Sequence, residues 1–477
     1  MHSRDVGNRR TNRLQPLLGA ASLGLLLAAC DPHSMLDVRP PDIVPGDVAR
    51  DPSNLVGLRN GVLFEFARAY TGPAGSNATP GIIGTSGVFS DEQWYSSTLP
   101  RMQEFDARDI SPENLALLSV FQYLHRARNW AEVAQEAYAA SPLAGSADHA
   151  LMANLAGYTY IFFAENFCSG VPFGRSSLDA SLTYGEGRTT NEMLQLAVDR
   201  FREAMAIVQD LETAASDTQV NLARVGKARA LLNMGQPSEA AEIAAQVPAT
   251  FAYFVSYSPN ASGQNNGIWS QINSSRRSSL ASREGTVNRG LEYFDPAGTT
   301  FSTMTLDPRV PVPSRSVGIG TSIPVFLTGR HGAMASPAPL ASYVEARLMV
   351  AEHQLAGGAS DTYLPPLNEL RANLPTLLPT LGLPGAHAPL PALTDPGSVD
   401  GRIRQLYRER ALWLHLQGTR LGDLRRMMRF YGYQEDEVFP TGTTIFGRPY
   451  GTDVNMPIPS QEGNNPVASG VCFHRDP

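Results

Sequence analysis

Apolar positions recur at helical spacing in long blocks, and the first block begins just past residue 52. In "PSNLVGLRNGVLFEFARAY", Leu55, Leu58, Val62, Leu63, Phe66 and Tyr70 fall on one side of a helix. Asp51 or Ser53 is placed to cap its start. The period then stops. Residues 71–112 are rich in Gly, Ser and Thr with scattered aromatics, and they predict loop. From Pro112 to about Leu355 helices alternate with loops. "NLALLSVFQYLHRARNWAEVAQEAY" and "DHALMANLAGYTYIFFAENF" predict a first helix pair, and "NEMLQLAVDRFREAMAIVQD" predicts the next helix. In "NLARVGKARALLNMGQPSEAAEIAAQV", Ala228, Leu231 and Leu232 precede Gly235, and Ala240 and Ala244 follow it. Small residues at these spacings let two antiparallel helices approach closely across a short turn. "SYVEARLMVAEHQLAGG" predicts another helix, with Ala346, Leu348, Ala351 and Leu355 inward. Residues 247–330 break the pattern, with weak alternation at "TFAYFVSYS" and "IPVFLTG". A long irregular stretch inside a compact domain is usually functional or disordered, and its aromatics argue against disorder. Residues 376–399 predict a Pro-rich loop. "GRIRQLYRERALWLHLQGTRLGDLRRMMRFYG" predicts helix, turn, helix, and the tail after it is irregular.

The chain start has a different character. Arg4, Arg9, Arg10 and Arg13 precede an uncharged run from Leu17 to Ala29. That run is shorter than the ~20 apolar residues a membrane-spanning helix needs, and a basic start with a short apolar core reads as a secretory leader. Leu27-Ala28-Ala29-Cys30 resembles the lipobox of bacterial lipoproteins, which implies lipidation of Cys30 and removal of residues 1–29. An ordinary leader with an incidental cysteine is the competing reading. Residues 30–52, including "DVRPPDIVPGD", read as an extended lipidated tether, and 53–477 as a single domain.

Charge and cysteine count narrow the function. The whole chain carries −7. The leader holds four Arg against Asp5, a net +3, so the remainder carries −10. That argues against a nucleic-acid partner, which selects a basic face. Cys168 and Cys472 remain in a compartment where disulfides persist. They either pair, tying the chain end to its middle, or stand as two separate buried thiols.

Catalytic signatures are absent: no P-loop, no His-Glu-x-x-His helix and no Gly-x-Ser-x-Gly elbow. "GIGTS" at Gly318 lacks the strand–helix context of a dinucleotide site. The nine histidines are scattered, and no Cys/His spacing predicts zinc. Neither a cofactor nor a metal is expected. Asp91-Glu92 and Glu104-Asp106 lie beside Trp94 and Tyr95, a pairing that an α-helical glycosidase could use. Arg408, Glu409, Arg410, Arg420, Asp423, Arg425 and Arg426 form a dense charge set that predicts a salt-bridge network between two helices. The loop aromatics carry the stronger binding signal. Sugars stack their C–H faces on Trp and Tyr, while amide, carboxylate and guanidinium groups take the hydroxyls. Trp94, Tyr95, Tyr257, Trp269, Tyr293 and Phe294 lie in such loops, with Arg101 close by, and these seven are the candidate ligand residues.

Read in order, these pieces resemble the RagB/SusD family of outer-membrane nutrient-uptake lipoproteins. Cys30 with "LDVRPPDIV" and "PSNLVGLRNGVLFEF" looks like its opening, and "GVFSDEQWYSS" like its first loop. "AGYTYIFFAENFCSGVPF" is similar to its helix with a G-x-P-F exit, and "SYVEARLMVAEHQLAGG" to its Ala-rich helix. "RQLYRERALWLHLQGTRLGDLRRMMRFYG" and "NMPIPSQEGNNP" are similar to its two C-terminal signatures. One position departs, since Gln417 stands where the signature carries Glu. The resemblance implies an all-α fold of about four tetratricopeptide-like helix pairs. Repeats would lie mainly in 112–246 and 340–356, with a loop-rich ligand region at 247–330 and C-terminal helices and tail at 400–477. It implies a non-catalytic lipoprotein on the cell surface. Such a protein binds an oligosaccharide or a peptide and delivers it to a SusC-like TonB-dependent β-barrel. Two other readings stand beside it: an α-helical surface glycosidase, and a tetratricopeptide assembly lipoprotein of the outer membrane.

Overall fold

The computed structural model describes residues 52–75, 78–176, 181–295, 306–355 and 361–477. The leader, Cys30 and the tether up to residue 51 lie outside the described residues, as do the side chains of the proposed caps Asp51 and Ser53.

Fourteen α-helices occur among the described residues. The first three are α1 (Pro52–Thr71), α2 (Ile82–Phe89) and α3 (Pro100–Asp106). Five more form the front of the scaffold: α4 (Leu115–Ala139), α5 (Ala147–Asn166), α6 (Thr190–Ile207), α7 (Ala214–Asn233) and α8 (Pro237–Ala244). The rest are α9 (Tyr343–Leu355), α10 (Leu364–Ala372), α11 (Leu374–Thr380), α12 (Val399–Trp413), α13 (Arg420–Tyr431) and α14 (Glu435–Val438). The fold is the expected all-α one.

Helices α4 to α9 pack one on the next in chain order, and α1 lies against α4. Their ends carry the expected signals. Asn114 caps α4 by accepting from Ala116 N and Leu117 N. Thr189 and Glu192 form a reciprocal capping box on α6. Small residues set the close approaches. A Cβ on Gly226 would sit 2.3 Å from the Phe201 ring, so α6 and α7 meet at that contact because the position is glycine. Gly235 ends the α7 turn with φ +76°, a conformation glycine adopts without strain. The inward faces read from the sequence are buried at Leu55, Val62, Phe66 and Tyr70 of α1, with Leu58 and Leu63 half-buried, and at Ala346, Leu348, Ala351 and Leu355 of α9.

The segment 71–112 differs from its reading as loop. Residues 82–89 form a helix buried on every side. A helix enclosed all round has no polar face, so "IIGTSGVF" leaves no periodic trace. Strands are short and paired in twos. Gln93–Tyr95 pairs antiparallel with Ser278–Leu280, and Ala252–Val255 with Ala338–Ser342. These pairings fasten the irregular region 247–330 onto the helices.

The charge set of α12 and α13 is a buried network except at Arg408, which is exposed, and Arg425, which donates to the Ala164 and Phe167 carbonyls. Arg410 grips Asp423 with bonds of 3.0 and 2.8 Å, and Arg426 bridges Asp423 at 2.7 Å and Glu352 of α9 at 3.0 Å. Glu409 receives Arg309 at 2.6 Å and Arg371 at 2.7 Å. Arg229 of α7 donates to Glu165 of α5 at 2.8 Å and to the Gly418 carbonyl at 3.0 Å. Gln417, the departure from the signature, donates to the Trp413 carbonyl at 3.1 Å and accepts Tyr70 Oη on its own carbonyl at 3.0 Å. Cys168 and Cys472 are joined by a disulfide with Cα atoms 5.7 Å apart.

Candidate functional site

Most of the aromatics singled out in the sequence are interior. Trp94 donates its indole N–H to the Pro324 carbonyl at 3.3 Å and packs edge-on against Phe326. Phe294 meets the same Phe326 at 5.0 Å. Tyr95 is buried in the strand beside them. Tyr293 donates to Asp91 at 3.2 Å and lies 4.8 Å from the His415 ring. These four form a small core where the two loop regions meet, and none offers an open ring face. Arg101 is half-buried on α3, and its backbone carbonyl accepts from Asn114 Nδ2 at 2.8 Å. Trp269 is half-buried at the start of a π-turn over Trp269–Ser274.

Tyr257 lies at a surface hollow. This hollow has a volume of about 260 Å³ between α1 and the loop 256–265. Tyr257 donates to the Ala67 carbonyl at 3.4 Å, which fixes its ring against the helix. Phe64, 38% exposed, stands on the same wall. Asn60, Arg68, Ser256, Gln264 and Asn265 supply polar groups around the two rings. The loop is held in shape by Ser258 N donating to the Gln264 carbonyl at 2.9 Å, and by Gly267 N donating to Thr71 Oγ1 at 3.1 Å. Two aromatic faces inside a ring of amides, hydroxyls and one guanidinium suit a polyol with apolar faces.

A larger cleft, about 550 Å³, opens on the outer side of α4. Its volume falls within the ~300–1,000 Å³ typical of ligand pockets, and that of the hollow just below it. His125, Arg126, Arg128, Asn129 and Trp130 form one wall. The hairpin pairing Arg175–Ser176 with Leu182–Thr183 forms another, with Tyr184 54% exposed at its rim. The tail residues Gln461, Glu462, Asn464 and Asn465 close the third side. Asn129 Oδ1 accepts from Ser176 N at 3.0 Å, and Asn465 Nδ2 donates to the Gly185 carbonyl at 3.3 Å, so helix, hairpin and tail are hydrogen-bonded into one frame. Burial, reinforced by Arg128, holds the His125 imidazole well below its usual range and therefore neutral.

The carboxylates suggested for glycosidase chemistry face inward. Asp91 is gripped by Arg420 at 2.7 and 2.8 Å. Burial pushes its carboxyl up, but Arg420 and hydrogen bonds from Leu291 N and Tyr293 outweigh that and leave it below the ordinary value. Burial pushes Glu92 up to about 8, although Leu416 N donates to it at 2.9 Å. Burial likewise raises Asp106 to about 7. Glu104 is occupied by Asn114 at 2.6 Å. None of the four lines the hollow or the cleft. Among the described residues no group of three or more His, Cys, Asp or Glu is arranged to hold a metal, and no helix is long and apolar enough to cross a membrane.

Solved structures decide the fold. A SusD-like carbohydrate-binding protein of Bacteroides fragilis superposes with TM-score 0.61 over 89% of this chain and 99% of its own, at 14% identity. The chain has the SusD-like fold. A second SusD-like protein from the same organism matches with TM-score 0.59 at 13% identity, over 88% of this chain and 96% of its own. A SusD/RagB family protein of Bacteroides thetaiotaomicron matches with TM-score 0.51 at 13% identity, over 77% and 87%. No protein-family model and no curated protein matches the chain by sequence. The SusD-like fold is thus reached through backbone likeness, with about one residue in seven shared.

Sequence reasoning passed over the residues that line the cleft. Trp130 and the basic run before it lie on α4, a segment read only as a packing helix. The usable signal was "HRARNW": a Trp with two Arg and a His inside six positions of an otherwise apolar-striped helix.

Proposed function

We propose that the protein is a member of the RagB/SusD family that captures an oligosaccharide at the cell surface and passes it to a SusC-like TonB-dependent β-barrel. The observation that carries this reading is the SusD-like fold, matched over 89% of the chain to a protein described as carbohydrate-binding. The hollow supports it, because exposed Phe64 and half-buried Tyr257 stand among amides and hydroxyls that can bind a sugar without catalytic groups. The inward-facing carboxylates favour a binding protein over a glycosidase. Cys30, lipidated, anchors the chain, and a tether of about twenty residues keeps the domain near its barrel at high effective concentration. Oligosaccharide is favoured over peptide by the aromatic hollow.

Two measurements test this. Full-length protein extracted from membranes with its lipid should recover a TonB-dependent barrel near one-to-one. Assembly proteins alone, or no partner, would overturn the transporter role. Neutral oligosaccharides titrated onto the same protein should bind, and Tyr257→Ala should weaken them about tenfold, the loss of one stacked ring. Turnover of the glycan by purified protein would restore the glycosidase.

A further inference from the structure

The α4 cleft is built differently from the hollow. Three of its lining residues are Arg126, Arg128 and Arg175, against one carboxylate, Glu462. His125 is neutral. The cleft is therefore a net-positive surface on a chain whose total charge is −7. The three guanidinium groups are in different states. Arg175 is paired with Glu136. Arg128 is 4% exposed; it donates to the Gly174 carbonyl and lies 5.5 Å from the Phe173 ring, while its Nε has no hydrogen-bond partner. Arg126 is exposed and has no ion-pair partner among the described residues. The unmet donor on buried Arg128 costs free energy, while exposed Arg126 is hydrated and free to take an anion. Trp130 and Tyr184 add two rings to the same walls, and Asn129, Gln461 and Asn464 add amides.

We infer that this cleft is a second glycan site, separate from the Tyr257 hollow, and that it takes a carboxylated sugar, an oligosaccharide containing uronic acid. The uronate carboxylate meets the planar fork of exposed Arg126, which can offer it two parallel bonds, and the positive lining of the cleft draws it in. Tyr184, exposed at the rim, receives a sugar ring face, while Trp130, half-buried against Gly61 of α1, lines the floor. Glu462 opposes the anion from the tail. Its carboxyl is held up by burial, with Asn465 partly offsetting this through a hydrogen bond. The inference builds on the sugar-binding reading, but its residues and its ligand class are distinct from those of the hollow.

The test titrates the full-length, detergent-extracted protein with hexamers of galacturonate, glucuronate-containing glycan and mannuronate. The methyl-esterified galacturonate hexamer is the uncharged control. At least one acidic hexamer should bind ten times more tightly than the control. The affinity should fall with added salt. Arg126→Gln, at an exposed position, should cost about tenfold, and Tyr184→Ala several-fold, while Tyr257→Ala leaves the acidic ligand unaffected. If no acidic hexamer binds, or the ester binds equally well, the inference is wrong while neutral binding at Tyr257 stands untouched. If acidic binding is lost with Tyr257→Ala and kept with Arg126→Gln, the anion belongs to the hollow and the second site does not exist.

Discussion

Glu92 offers the sharpest test of how this interior works. It is fully buried, with Oε1 accepting from Leu416 N at 2.9 Å and Oε2 without a partner. Burial, with neighbouring Asp91 adding to it, lifts the carboxyl from 4.5 to about 8. The folded chain therefore holds this proton more tightly than the unfolded chain does. Stability from this group is complete below about 4.5, declines as pH rises, and is fully lost above about 8. Between pH 5 and pH 9 the linked loss is about 4 kcal/mol, taking 1.36 kcal/mol per pKa unit. Glu92→Gln removes the ionisation and keeps a carbonyl for Leu416 N. The substitution should be close to neutral at pH 5 and stabilising by at least about 2 kcal/mol at pH 9. Urea unfolding of both proteins at pH 5, 7 and 9 reads this directly, since the other buried groups titrate alike in each and cancel. A constant difference across the three pH values would refute the reasoning. It would mean that the pocket opens to water or that a counter-charge reaches Oε2.

Other substitutions probe the same architecture. Arg420→Ala leaves Asp91 buried beside Tyr293 without its cation and should cost about 3–5 kcal/mol in chemical unfolding, whereas Arg408→Ala on the exposed side of α12 should cost under about 0.5 kcal/mol. Trp94→Ala should lower stability by about 3–5 kcal/mol while sugar binding at the hollow survives, because the indole is core; loss of binding with unchanged stability would reverse that assignment. Gly226→Ala pushes a methyl into the Phe201 ring and should cost about 1–3 kcal/mol with a lower melting temperature. Replacing Cys168 and Cys472 together by Ser frees a closure spanning 304 residues and should cost about 2–5 kcal/mol, measured against wild type in the absence of reductant.

Much of the helical scaffold was legible because helices such as α1 and α9 carry an apolar stripe at helical spacing. Leu55, Val62, Phe66 and Tyr70, or Ala346, Leu348, Ala351 and Leu355, alternate with polar residues at the period of the element they form. The charge set at 408–426 was legible in part, since helical spacing alone brings Arg426 to Asp423 within one helix, while Arg410 reaches Asp423 only because the short turn folds α12 back onto α13. Helix α2 was hidden because enclosure on all sides erases period. The candidate ligand residues were harder. Trp94, Tyr95, Tyr293 and Phe294 sit in aperiodic segments, and aperiodic aromatics look exposed in a linear reading. They are interior because Gln93–Tyr95 pairs with Ser278–Leu280, a contact almost two hundred residues distant that no local pattern announces. Tyr257 was found by the same argument and does open on a hollow. Trp130 and Arg126 were missed for the converse reason: a helix read for its buried stripe conceals what its other face carries.

The Cys168–Cys472 link turns most of the domain into a covalent ring. A protease that nicks any loop between those two residues opens the ring without releasing either part, so both halves of the scaffold and the tail wall of the cleft stay attached. A nicked molecule should migrate as a single species on a denaturing gel until reductant separates its fragments. Damage to the long irregular segments then costs local order at the cut, while the ligand-bearing surfaces remain on one molecule.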